Sequence, residues 1–295
     1  VAEPVFHRVA LIGAGLIAGS IARRNREQGG LAAEIVVTAR SAETRARVRE
    51  LGFADRVEDD AAEAVKGADL VILCVPVGAC RAVMERIAPH LAPGAILSDV
   101  GSTKGSVIRD VTPLLPPDVH FVPAHPMAGT EHTGPDSGFS TLFEGRYVIL
   151  TPIEGTPPEA LERVREFWRR CGSMIESMDP VTHDKVVAIV SHLPHLIAFT
   201  ICGTADDLSE ETRESVLKFA ASGFRDFTRI AGSNVDMWRD VFLNNREAVL
   251  EMLARFTEDA QAFGRAIRWG QEEFIVDRIE RGRKIRRGLI ERKQA

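Results

Sequence analysis

Chemistry-bearing side chains gather in three stretches of the 295-residue sequence. The first reads Asp99-Val100-Gly101-Ser102-Thr103-Lys104-Gly105 and the second His125-Pro126-Met127-Ala128-Gly129-Thr130-Glu131. They offer a hydroxyl, Ser102, and an imidazole, His125, and an imidazole is the side chain that exchanges protons near neutral pH. The bland readings are a serine that only shapes its turn and a strand-end histidine satisfied by backbone. The third stretch reads Ser191-His192-Leu193-Pro194-His195, with Phe224-Arg225-Asp226-Phe227-Thr228-Arg229 and Trp238 further on. At i,i+3 His192 and His195 share a helix face, and at i,i+4 so do Arg225 and Arg229. A metal would need a third ligand beside the two histidines, and Asp184 lies two turns earlier, so no metal is assigned. Arg225 reads as a structural ion pair and Trp238 as core, while Glu131 and His132 receive no role.

Another stretch, Gly13-Ala14-Gly15-Leu16-Ile17-Ala18-Gly19-Ser20, has the form G-x-G-x-x-A between an expected strand and an expected helix. Gly13 permits a tight turn, Gly15 lets backbone approach a pyrophosphate, and Ala18 is small enough for helix and strand to pack closely. Leu16 and Ile17 open the helix whose free N–H groups would face the phosphates. The expected cofactor is therefore a dinucleotide, with Val75, at the end of the strand run 69–75, beside it. Where a carboxylate would hold a ribose 2′-OH the sequence reads Thr38-Ala39-Arg40-Ser41, with Arg45 one turn on. Arg40, Ser41 and Arg45 favour a 2′-phosphate, hence NADP, with NAD as the alternative.

Six runs in the first half, residues 8–12, 34–38, 69–75, 95–99, 119–124 and 147–151, are β-branched and alternate with helical patterns, and a last run, 174–178, closes the series. This is the pattern of a doubly wound parallel sheet, a Rossmann-type α/β fold. Ser41 is placed to cap a helix ending at Gly52, and Asp59 or Asp60 one ending at Gly67. Ser102 and His125 then fall at C-terminal ends of parallel strands, where such sheets bind ligands. After Asp179-Pro180 the β-rich alternation stops, and Val186, Val187, Val190, Leu193, Leu196, Ile197 and Ile201 recur at helical spacing, interrupted at Pro194. The expected domains are residues 1–178, binding a dinucleotide, and residues 179–295, an all-α substrate-binding and dimerisation domain that completes its core in a homodimer.

A net charge of −5 offers no footprint for nucleic acid. The longest uninterrupted apolar run, Leu70 to Val77, is shorter than the roughly 18–20 residues of a membrane span, so no membrane partner is expected. Val1-Ala2-Glu3-Pro4-Val5 lacks the pattern of a leader, and Cys74, Cys80, Cys171 and Cys202 form neither a CxxC pair nor a metal cluster. They read as buried, reduced thiols of a cytoplasmic protein. The basic cluster from Arg281 to Lys293 reads as the solvated face of a last helix.

Taken in order, Gly-x-Gly-Leu-Ile-x-Gly-Ser, Asp-Val-Gly-Ser, His-Pro-Met-Ala-Gly-Thr-Glu, Ser-His-Leu-Pro-His and Arg-Asp-Phe-Thr-Arg-Ile-Ala make the sequence resemble the prephenate and arogenate dehydrogenases of tyrosine biosynthesis. The likeness runs from residue 13 to about residue 245 and is strongest to the bacterial cyclohexadienyl type. It implies oxidative decarboxylation of a cyclohexadienol: the ring hydroxyl is deprotonated as hydride leaves the carbinol carbon for NAD(P), and CO2 departs as the ring becomes aromatic. It further implies that His125 removes the hydroxyl proton beside Ser102, that Arg229 binds a substrate carboxylate, and that His195 and His192 line the substrate side-chain end. Two alternatives stay open. A β-hydroxyacid dehydrogenase of the 6-phosphogluconate type needs a catalytic lysine near an asparagine, and Lys185 stands closest to that place without the motif. A catalytically silent NADP-binding protein needs the glycines but not Ser102, His125 and Arg229.

Overall fold

Strands form where β-branched runs are bounded by glycine or proline, and the computed structural model describes residues 3–292. The sheet half contains β1 (Phe6–Ile12), α1 (Leu16–Gln28), β2 (Ala32–Thr38), α2 (Ala42–Leu51), β3 (Arg56–Glu58), α3 (Ala61–Ala64), β4 (Leu70–Leu73), α4 (Cys80–Ile87), β5 (Ile96–Asp99), α5 (Lys104–Val111), β6 (His120–Val122), β7 (Ala124–Pro126), β8 (Tyr147–Leu150), α6 (Pro158–Arg170) and β9 (Met174–Ser177). Six strands make a parallel sheet in the order β3-β2-β1-β4-β5-β6, the doubly wound arrangement with its crossover between β1 and β4. Period-two alternation explains its burial on both faces. Val9 and Leu11 of β1 join Leu70 and Ile72 of β4 in a core with Phe167 and Trp168 of α6, whereas Ala10, Ile12, Val71 and Leu73 face Met84, Ile87 and Val107 on the other side.

The run expected as one strand over residues 119–124 divides at Pro123. Proline has no N–H to continue the ladder, and its carbonyl accepts instead from Thr151 N at 3.0 Å. Beyond it β7 leaves the parallel sheet and pairs antiparallel with β8, which β9 joins in a second, three-stranded sheet. His125 therefore lies on a strand of this small sheet, opposite Ile149, rather than at the end of a parallel strand. The three-residue edge strand β3 was not expected; it is too short to carry a periodic signal. Ser41 accepts a bond from Thr44 N and caps α2, which ends at a left-handed Gly52, while α3, capped by Asp60, stops at Ala64, earlier than Gly67.

The helical region comprises α7 (Pro180–Val187), α8 (Leu193–Asp206), α9 (Glu210–Phe219), α10 (Ser222–Thr228), α11 (Val235–Asn244), α12 (Arg246–Trp269) and α13 (Glu272–Glu291). A π-helical turn, Ala188–His192, joins α7 to α8. Pro194, in the first turn of α8, supplies no N–H to the preceding turn, and the extra residue of the π turn absorbs the mismatch. The continuous stretch Pro180–Asp206, 27 residues with a hydropathy of 1.8 in its most apolar window, has the length and composition of a membrane span, which the shorter run Leu70 to Val77 did not anticipate. It also carries Asp184, Lys185 and three histidines, and Asp184 and His183 bond to the sheet half, as in a helix packed on protein.

Two compact units divide between Arg246 and Glu247. The change of texture at Asp179 is thus a change from sheet to helix inside the first unit, because α7 is bonded to α5 and β7. All four cysteines are free; Cys80 and Cys171 are buried as expected, whereas Cys74 and Cys202 are partly exposed. In the second unit the basic residues of α13 from Arg281 to Arg287 are exposed, and Lys293 lies outside the described residues.

Candidate active site

Gly13 has φ +113°, and a Cβ there would stand 2.2 Å from the Cys74 carbonyl oxygen, so only glycine fits between β1 and the end of β4. A Cβ on Gly15 would meet nothing within 4 Å, so the backbone at the start of α1 borders open space. Gly15 N-caps α1 without any side-chain hydrogen bond, leaving the N–H groups of Leu16 and Ile17 for another acceptor. Ala18 is fully buried under α1. Such a turn, with a helix dipole behind it, fits a pyrophosphate. Val75 flanks it, its Cγ1 lying 3.3 Å from the Cβ position of Gly13.

At the end of β2 the three polar candidates separate. Arg40 is exposed, and its guanidinium makes no hydrogen bond among the described residues. Ser41 spends its hydroxyl on Thr44. Arg45 donates to the Ala39 and Arg40 carbonyls at 2.7 and 3.0 Å and to Asp59 at 3.0 Å, so it braces the loop that presents Arg40.

The second cluster grows from a fully buried ion pair. Lys104 Nζ donates to Asp99 Oδ2 and, at 2.6 Å, to the Ala124 carbonyl, while Asp99 accepts from Gly101 N at 2.8 Å and Ala124 N at 3.2 Å. Both ends of the turn carrying Ser102 are therefore tied to the residue preceding His125. Ser102 itself is half-buried at the end of β5.

His125 is 8% exposed, and its Nδ1 lies 2.8 Å from His183 Nε2 on α7. His183 Nδ1 in turn lies 2.8 Å from Asp184 Oδ1. Asp184 also accepts from the backbone N–H groups of Lys104 at 2.7 Å and Gly105 at 2.8 Å, capping α5 from a neighbouring helix. Burial raises the Asp184 pKa, but the His183 and backbone hydrogen bonds together outweigh it and leave the carboxyl below its ordinary value. Burial is also the main reason that His125 sits well below an ordinary imidazole pKa, helped by His183, Lys104 and His192; His183 is lowered chiefly by burial as well. Both rings are neutral at pH 7.

His192 is buried in the π turn, its pKa brought down to about 4 mainly by burial. Its Nδ1 takes the Asn245 amide N–H at 3.0 Å, so Nε2 carries the ring proton, and Nε2 is buried without a partner. His195 donates Nδ1–H to the Ser191 carbonyl at 2.9 Å and stacks on Trp238, ring centroids 3.7 Å apart. Trp238 is buried against Phe199 and Phe242 as well, consistent with a core residue. Arg229 is exposed and pairs with Glu131 at 3.2 Å; Arg225, expected in an ion pair, makes none among the described residues. Sequence reasoning passed over His183, Lys104, Asn245 and Glu131, and met Asp184 only as a metal candidate. Among the described residues no three His, Cys, Asp or Glu side chains are grouped to hold a metal ion.

Sheet order, glycine turn and uncapped helix start define a Rossmann-type nucleotide-binding protein, here joined to helices bearing a cluster of neutral histidines. Residues 21–177 match the family model described as prephenate dehydrogenase, nucleotide-binding domain, and residues 179–281 that described as prephenate dehydrogenase, dimerization domain. A cyclohexadienyl dehydrogenase from Zymomonas mobilis is 38% identical over 287 residues, 97% of each chain. The crystal structure of prephenate dehydrogenase from Aquifex aeolicus in complex with hydroxyphenyl propionate and NAD+ has a TM-score of 0.87 at 33% identity, covering 96% of this chain and 98% of that one. Synechocystis arogenate dehydrogenase gives a TM-score of 0.79 at 26% identity, over 95% and 99% of the two chains. The chain belongs to the prephenate dehydrogenase family.

Proposed function

We propose that this protein oxidatively decarboxylates prephenate, arogenate or both, to 4-hydroxyphenylpyruvate or tyrosine, in tyrosine biosynthesis. The observation that carries this reading is the buried, neutral His125, whose Nδ1 is engaged by His183 while its Nε2 has no hydrogen bond among the described residues. A bound nicotinamide supplies the acceptor for the hydride leaving the carbinol carbon. His125 Nε2 takes the hydroxyl proton as that carbon becomes a carbonyl carbon, with Ser102 as the neighbouring hydroxyl. Breaking the bond to the ring carboxylate releases CO2 and returns its electron pair to the ring; the proton held on His125 then goes to the oxygen, which becomes a phenol. The unpartnered Nε2–H of His192 supports its role as a donor to a substrate oxygen, with the Nε2 lone pair of His195 as an acceptor nearby. Residues 1–178 serve the nucleotide, and residues 179–295 the substrate and a homodimer. The exposed apolar side chains Ile201, Leu217, Leu243, Phe256 and Ile267 on the helices support that assembly.

Mixing the protein with each substrate and NADP or NAD, and following reduced-cofactor absorbance, tests the reading and separates it from a silent nucleotide binder. Absence of turnover with both substrates and both cofactors defeats it. Arg229 binds a substrate carboxylate in this scheme. It is itself the exposed member of its pair with the half-buried Glu131, and such surface pairs are weak and screened by salt, so the guanidinium is available. Charged hydrogen bonds of this kind contribute about 1.5–3 kcal/mol. Arg229→Ala is accordingly expected to raise KM about ten- to a hundredfold with kcat little changed, and initial-rate kinetics read it directly.

NADP is the cofactor favoured here, because no carboxylate ends β2 and Arg40 stands exposed there, its loop braced by Arg45. The variant Arg40→Asp puts an acidic group where a 2′-phosphate would sit and is expected to shift the NADP-to-NAD ratio of kcat/KM toward NAD by about tenfold or more. An unchanged ratio shows that Arg40 does not read the phosphate.

A further inference from the structure

Behind His125 the structure holds a line of buried polar groups, none of them needed to contact substrate. His183, fully buried on α7, stands 2.8 Å from His125 on one side and 2.8 Å from Asp184 on the other. The Asp184 carboxylate accepts hydrogen bonds only, which assigns the proton on His183 to Nδ1 and leaves His183 Nε2 as an acceptor. His125 must then carry its own proton on Nδ1, directed at His183, and its Nε2 lone pair is the one left over. A backbone carbonyl at the same place would fix the tautomer equally well. An imidazole backed by a carboxylate also stabilises the cation that His125 becomes when it accepts a proton.

We propose that His183 and Asp184 are positioning residues that fix the tautomer of His125 and stabilise its protonated form, so that Nε2 acts as the base; this rests on the reading of His125 given above. Asp184 has a second part in the arrangement. Its hydrogen bonds to Lys104 N and Gly105 N hold the start of α5, immediately after Ser102, in register with α7. One carboxylate thus both backs the base through His183 and ties α7 to the turn that carries Ser102.

The charged and titratable groups that face His125 are His183 and Asp184 on α7, Lys104 at the start of α5 with Asp99 at the end of β5, and His192 in the π turn. Of these, the Asp184 carboxylate, acting through a neutral His183, and the Asp99 carboxylate favour a proton on His125, whereas Lys104, a protonated His183 and a protonated His192 oppose it. Removing the His183–Asp184 pair therefore weakens His125 as a base.

The test is steady-state kinetics against pH on the full-length protein with NADP and prephenate or arogenate. His183→Leu, which fills the space without an acceptor, is expected to lower kcat about a hundredfold with both KM values within about threefold. The acid limb of kcat/KM moves to lower pH by about one unit. His183→Gln, whose amide oxygen can accept the Nδ1–H, recovers about tenfold of the loss in kcat while the limb stays low, and it serves alone should the leucine variant not fold. Asp184→Asn is expected to move the limb in the same direction. A limb that is unmoved or displaced to higher pH, whatever the loss of activity or melting temperature, overturns the proposal and leaves a packing role. His125→Ala in parallel keeps the two readings apart. If it is inactive while the His183 variants keep wild-type kinetics, the relay fails alone; if it is fully active, the role of His125 fails.

Discussion

Replacing His125 by alanine is expected to lower kcat by about a thousandfold while leaving the KM for cofactor within a few-fold of the wild type. General-base catalysis by a positioned side chain contributes roughly 10²–10⁴ in rate, and loss of a group acting only in the transition state lowers kcat rather than binding. The glycine turn that would face the pyrophosphate is formed by β1, α1 and the Cys74 carbonyl, whereas the His125 imidazole is hydrogen-bonded to His183 on α7, so cofactor affinity has no reason to follow. The pH profile gives the same claim a second reading. Burial keeps the His125 pKa well under the ordinary 6.5 or so of an imidazole. The side chain is therefore already a free base at neutral pH, and kcat/KM stays level there and falls only on acidification through the depressed value. In His125→Ala that limb disappears with the group. A variant of wild-type kcat, or one that keeps the acid limb, removes His125 from the chemistry.

Much of this was legible in the sequence, because the signals were local. Glycine at 13 between an apolar strand and a helix dictates a turn that no larger residue fits, and the first five β-branched runs dictate a sheet whose two faces are both covered, while the sixth, 147–151, falls in the smaller sheet. The histidine on the short strand β7 and the two in Ser-His-Leu-Pro-His were singled out from motifs a few residues long. What escaped were residues whose partners are remote in the chain. His183 meets His125 across 58 positions, and Asp184 meets Lys104 across 80. No spacing rule joins a helix to the strand or turn it packs against. Two signals were nonetheless present. A His-Asp dipeptide at the start of the most apolar helix is a polar pair with nowhere to go unless it is bonded, and a lysine five residues after an aspartate at a strand end is poorly placed for solvent.

The structure also shows why the strand run ending at Ala124 could not have been placed correctly. Pro123 ends one sheet, and whether the chain then extends that sheet or starts another depends on a pairing with β8, more than twenty residues away. The step off the parallel sheet turns His125 toward α7 and gives Ala124 to the buried pair of Asp99 and Lys104. Catalytic placement and core electrostatics therefore meet in one residue, and a test of the second bears on the first.

That test is Lys104→Met. The lysine and Asp99 are both fully buried, and a buried pair is costly to form but far costlier to break from one side, because the remaining charge has neither water nor partner. Methionine fills the volume, so the expected loss is the uncompensated Asp99 carboxylate together with the donor withdrawn from the Ala124 carbonyl, about 3–5 kcal/mol. Against a stability of roughly 5–15 kcal/mol for a protein domain this is a large fraction, and a fall in Tm of about 10 °C is its thermal counterpart. Asp99→Asn in the same chain removes the stranded charge, and its single amide oxygen can still accept from one of the two N–H groups, Gly101 N or Ala124 N, that the carboxylate takes on separate oxygens. The double variant is therefore expected to regain about half of the lost stability, and the four corners of the cycle, measured by urea denaturation, isolate the coupling. A loss below about 1 kcal/mol in Lys104→Met would mean that water or a shifted side chain neutralises Asp99, and that the turn bearing Ser102 is held by Asp184 at α5 alone.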